Sequence, residues 1–64
     1  MTEANTWKRG GYERGAYWAV RSGGLQGFSV EYDADDAVWR ANCRKAQKER
    51  DAFIRVENNR LQGG

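Results

Sequence analysis

Arg50-Asp51-Ala52-Phe53-Ile54-Arg55-Val56-Glu57-Asn58-Asn59-Arg60-Leu61 is the stretch whose reading decides the fold. Taken by alternation, Ala52, Ile54 and Val56 fall on one side and Phe53, Arg55 and Glu57 on the other. The segment is also rich in β-branched and aromatic residues, and both features mark a strand. A second reading comes from what precedes it. No Gly or Pro interrupts residues 28–62, so a helix begun earlier has nothing to stop it short of Leu61. The alternation favours a strand at 52–57, entered through Glu49-Arg50-Asp51 and ended by Asn58 and Asn59, with 58–64 as a loose tail.

Upstream, Asp33 is placed to cap a helix, with Asp35 and Asp36 in its first turn, where carboxylates meet the positive end of the helix dipole. Arg44, Lys45, Lys48 and Arg50 gather at the other end, as the same dipole prefers. The two ends predict a helix at about 34–49. Further upstream, residues 16–21 alternate, with Ala16, Trp18 and Val20 on one face and Tyr17, Ala19 and Arg21 on the other. Residues 28–32 alternate again, with Phe28, Val30 and Tyr32 on one side. The glycines of 22–27 permit the positive φ angles of a hairpin loop between them. The expected fold is α+β: a β-hairpin, one helix and one further strand (ββαβ), giving a small three-stranded antiparallel sheet packed on a single helix. Residues 16–57 would form the domain. Residues 1–15, which lack any period, read as a flexible N-terminal arm pinned by Trp7 or Tyr12.

The helix has two apolar stripes. Ala34, Ala37, Val38 and Ala41 form one; Trp39, Cys43 and Ala46 form the other, nearly opposite. The stripe of small residues suits close packing against a sheet face made of Trp18, Val20, Phe28, Val30, Ile54 and Val56. Trp39 then has two placements. It faces a partner, bordered by Arg40, Arg44 and Arg50, or it rolls under the N-terminal arm against Trp7 or Tyr12 to cover the edge of the core.

Composition narrows the chemistry. A chain of 64 residues buries only about 60% of its unfolded surface. Cys43 is the single cysteine and there is no histidine, so neither an internal disulfide nor a zinc site is available. A lone thiol suits a reducing compartment, and no apolar run has the length of a membrane helix or a signal peptide. The expectation is a cytoplasmic protein. The acids at 33, 35 and 36 lack the Gly and distal Glu of a calcium loop, and no Gly-rich phosphate loop precedes a helix. Without a histidine, and with no base identified for Cys43, the chain reads as a non-enzyme with no cofactor.

Eleven Lys or Arg against nine Asp or Glu leave a formal charge of +2, too small an excess to argue for nucleic acid alone. Residues 8–15, Lys-Arg-Gly-Gly-Tyr-Glu-Arg-Gly, resemble a short Arg-Gly segment that stacks on unpaired bases. A solvated linker accounts for the same residues. The terminal Gly63-Gly64 is like the end of ubiquitin-like carriers, but those folds need further strands after the helix than this chain offers.

Tyr17-Trp18-Ala19, Phe28-Ser29-Val30, Ala34 and Phe53-Ile54-Arg55-Val56 together resemble, over about 40 residues, the small inhibitor of host RNA polymerase made by lytic podophages. The resemblance implies a compact αβ protein that clamps onto a large bacterial enzyme, with third-strand arginines as contacts. Arg55 falls in that strand, two residues from the family's position, which is occupied here by Glu57. The expected function is that of a small phage or mobile-element protein that inhibits a host macromolecular machine, RNA polymerase or a CRISPR nuclease complex, by protein–protein contact. Its expected interface draws on Trp39, Arg40, Arg44, Arg55, Trp7 and Arg9. A nucleic-acid-binding accessory protein and a homodimer joined through the Trp39 stripe are the alternatives.

Overall fold

The computed structural model describes residues 6–11 and 15–63. Residues 1–5 and 12–14 of the expected arm, Tyr12 included, lie outside the described residues, as does Gly64. The chain forms β1 (Lys8–Arg9), β2 (Ala16–Arg21), β3 (Gly24–Ser29) and α1 (Asp36–Gly63), and the three strands pair antiparallel in the order β1-β2-β3. The architecture is α+β, one open three-stranded sheet on one helix.

The third strand is not the expected one. Residues 52–57 are helical, so the element order is βββα rather than ββαβ, and Lys8–Arg9 supplies the remaining strand. The reason lies in a longer period. Trp39, Cys43, Ala46, Arg50, Phe53 and Glu57 recur at alternating steps of four and three residues, and each is buried or half-buried. That stripe faces the sheet along most of the rod, and a six-residue alternation inside it does not compete. Residues 58–63, expected as a loose tail, continue the helix. The helix starts two residues later than expected. Asp35, not Asp33, is the cap, its Oδ1 accepting hydrogen bonds from the N–H groups of Ala37 (3.0 Å) and Val38 (3.4 Å). Asp33 supports it from one step back by accepting the Asp35 N–H at 2.8 Å.

The hairpin is tighter than expected. Its loop is Ser22-Gly23 alone, with Arg21 paired to Gly24, so the second strand is 24–29 and not 28–32. Gly23 has φ 79°, a left-handed conformation that few other residues adopt without strain. This register pairs Tyr17 with Phe28, Ala19 with Gln26 and Trp18 with Gly27.

Phe28 and Val30 lie against the helix as expected, but on β2 the helix packs on the face opposite to the one expected. Tyr17 and Ala19 are buried beneath it, Ala19 at 0% exposure, while Val20 is exposed and Trp18 half-buried on the far side. The helix is turned by about half a revolution as well. Its Trp39, Cys43 and Ala46 stripe meets Tyr17 and Val30, and Ala37, Val38 and Ala41 face solvent. Hydrophobicity alone prefers the Trp18 face, but a helix needs a shallow floor to approach a sheet, and Ala19 provides one.

The core is thin and divides in two. At one end Tyr17, Val30 and Ala46 pack together with Trp39 and Cys43. At the hairpin end the Phe53 ring meets Trp7 at 4.9 Å and Phe28 at 5.6 Å, and the Arg21 guanidinium lies over Trp7 at 5.1 Å. Arg50, 8% exposed, lies over Tyr17 at 5.2 Å and donates to the Gly10 carbonyl at 3.2 Å.

A strand of two residues has too few ladder bonds to hold itself. The helix holds β1 instead. Asn58 accepts the Trp7 N–H at 2.8 Å through Oδ1 and donates to the Trp7 carbonyl at 3.2 Å through Nδ2, pairing with the backbone as another strand would. Asp51 binds both Arg9 (3.2 Å) and Arg50 (3.4 Å). The 28 residues of α1, at about 1.5 Å each, set the 45 Å length of the molecule, against 18 and 12 Å in the other directions.

Candidate functional site

With a single helix on one side, the other side of the sheet is left without a layer among the described residues. The register places Ala16, Trp18 and Val20 of β2, Leu25, Gly27 and Ser29 of β3 and Lys8 of β1 on that side. Val20 and Leu25 are cross-strand partners, and Leu25 is 63% exposed. Lys8 pairs with Val20 from the other flank. The result is an apolar band across the sheet with one cation beside it.

Trp18 is held flat by Gly27. A Cβ at Gly27 would lie well inside contact distance of the Trp18 ring, 2.9 Å from Cε3 and closer still to Cζ3. The indole therefore rests on bare backbone, in a seat that a side chain at position 27 would fill. A rigid aromatic beside two exposed aliphatics has the composition of the buried centre of a protein interface, with Lys8 as its polar rim.

The six residues expected to form an interface do not gather on one surface. Trp7 is buried between Phe53 and Arg21. Arg9 is engaged by Asp51. Trp39 is half-buried against the core, its ring 5.3 Å from that of Tyr32. Arg40 pairs with Asp36 at 2.9 Å, one turn back. Arg40, Arg44 and Arg55 stand exposed on the solvent side of α1, and Arg55 is a helix residue rather than a strand residue. Arg50, expected to border an exposed Trp39, is buried.

Val20 and Leu25 are absent from the expected interface, because strand alternation puts Val20 on the core face and the glycines of 22–27 put Leu25 in a loop. A signal for both was present. Setting the turn at Ser22-Gly23 pairs Val20 with Leu25 and Tyr17 with Phe28 at once, which puts each apolar pair on its own face.

A shallow polar groove of about 200 Å³, lined in part by Glu31, Asn42, Lys45 and Glu49, runs between the end of β3 and the helix. Small-molecule pockets are more often about 300–1,000 Å³ and mainly apolar. Among the described residues no group of three or more Cys, Asp or Glu is placed to hold a metal ion, and no helix is long and apolar enough to cross a membrane. No protein family, curated protein or solved structure matches the chain.

Proposed function

We propose that the protein is a non-enzymatic binding module that docks a partner protein on the uncovered face of its sheet. The observation that carries the reading is the joint exposure of Val20 and Leu25 beside the flattened Trp18 and Lys8. Single exposed aliphatics are ordinary, whereas a contiguous apolar face rimmed by charge marks an interaction site. The thin core supports the same reading. Among the described residues no large side chain is fully buried, and domains of this size commonly gain stability by association.

Inhibition of a host machine, such as RNA polymerase or a CRISPR nuclease complex, is the mode of action that the sequence resemblance brings. One element of that resemblance, the strand containing Phe53 and Arg55, is helical here. The sheet face therefore replaces the third-strand arginines as the contact surface in this proposal. A cytoplasmic site of action fits the lone thiol of Cys43.

The test is capture of a partner from bacterial lysate by the wild-type protein and by a Val20→Ser, Leu25→Ser double variant. Both positions are exposed, so the variant keeps its fold and loses the partner at least about tenfold. Equal capture by the two proteins would remove the sheet face from the proposal. A dimer in sedimentation that the double variant breaks would make the partner a second copy of this chain.

A further inference from the structure

We infer that the solvent-facing ridge of α1 docks the phosphate backbone of double-stranded DNA through Arg44, Lys48 and Arg55. At about 100° per residue, these three fall within roughly 40° of one another on the side of the helix turned away from the sheet. All three are exposed, and none forms an ion pair among the described residues. Four other basic residues that the structure describes are paired: Arg9 and Arg50 with Asp51, Arg40 with Asp36 and Arg60 with Glu57.

The ridge is not a chance gap in a mixed surface. The same arc of the helix carries Ala37, Ala41, Ala52, Asn59 and Gln62 and no acid. The carboxylate next to it, Asp51, is held by Arg9 and Arg50. Arg40, Arg44 and Lys48 stand four residues apart in succession, a like-charge spacing that weakens a helix by about 0.2–0.5 kcal/mol per pair. An acid at position 44 or 48 would convert that repulsion into attraction, as Asp36 and Arg40 already show one turn earlier. Asp36 offsets Arg40, but no ion pair among the described residues offsets Arg44 and Lys48, so their countercharge is expected from outside the described chain.

The shape of the charge selects the partner. Arg44 to Arg55 spans eleven residues, about 16 Å along a straight axis, and a DNA strand presents a phosphate every 3.4 Å or so of rise. A linear row of cations on a rod matches a linear row of phosphates better than it matches the irregular acids of a protein surface. The major groove, about 12 Å wide, admits a helix, and the alanines let the helix backbone come close. This ridge lies on the opposite side of the molecule from the Trp18 face, so it is independent of the protein-docking site.

The experiment is fluorescence anisotropy with a labelled 20-base-pair duplex of arbitrary sequence, titrated with the full chain between low and physiological salt. Three phosphate contacts predict that log K falls with log salt at a slope of about −2.7. The Arg44→Ala, Lys48→Ala, Arg55→Ala triple variant should retain its helix by circular dichroism and lose at least about tenfold in low-salt affinity, and each single substitution should lower the slope by about one. The Val20→Ser, Leu25→Ser variant should bind the duplex as the wild type does. The inference is overturned if the wild type does not bind at low salt, if the folded triple variant binds as tightly, or if polyglutamate competes as well as DNA at equal charge.

Discussion

The two faces of the sheet are built from interleaved residues of the same strands, yet they have opposite fates. Tyr17, Ala19 and Phe28 lie under the helix; Trp18, Val20 and Leu25 lie under no element among the described residues. The exposed face holds the larger aliphatic side chains. What separates the two is relief rather than hydrophobicity. Ala19 lowers the centre of one face enough for a helix to seat, and Tyr17 on one flank and Phe28 on the next strand close around it. The opposite face is raised at its centre by the Trp18 ring lying on Gly27. A helix packs on a floor; a partner's pocket packs on a knob.

The sharpest way to break this contrast is to fill the floor. Ala19→Leu places a branched side chain where exposure is 0%, and overpacking of that kind costs about 1–3 kcal/mol. We expect the upper end, read as a lowered midpoint in urea unfolding. The matching change on the other face, Val20→Leu, should change stability by less than about 0.5 kcal/mol. Equal losses from both substitutions would mean that the two faces do not differ in the way described.

How far the sequence reveals this asymmetry depends on the element. A helix start among the aspartates at 33–36, a glycine turn within 22–27 and the α+β class are legible, because each depends on local chemistry that a few adjacent residues express; which aspartate caps is not, Asp35 taking the place expected of Asp33. The strand at Lys8–Arg9 is not. Two residues flanked by Gly10 and Gly11 carry no period, and what holds them is Asn58, some fifty residues away in sequence. The choice of face is hidden for a related reason, since strand alternation is symmetric between faces and only the docked helix breaks the tie. Residues 52–57 mislead in the opposite direction. Their alternation is real, but Phe53 and Ile54 also satisfy the helical stripe through Ala46 and Arg50, and the longer pattern wins.

Asn58 offers the second test, of what holds the helix-side edge of the sheet. Asn58→Ala removes both hydrogen bonds to the Trp7 backbone. Loss of two modest bonds, with one N–H and one carbonyl left part-buried, should destabilise by about 1–2 kcal/mol. Amide exchange separates this from a general loss: the Trp7 N–H should exchange faster, while the amides between β2 and β3 keep their relative protection. Uniform acceleration of all three strands would mean that β1 is held by the ladder and not by the helix.

The smallest expected effect is the most specific. Gly27→Ala adds a methyl group where the Trp18 ring now lies, on the face that no other described element covers. The ring is the free end of a side chain and can swing outward, so the cost in stability should stay below about 1 kcal/mol. The indole, however, loses its seat. Its fluorescence emission should move to longer wavelength as the ring enters water, and partner binding should weaken because a preorganised anchor has become a mobile one that must be ordered on association. If Trp18 were merely a core residue facing the wrong way, the substitution would show the reverse balance, with a large loss of stability and no separate loss in affinity.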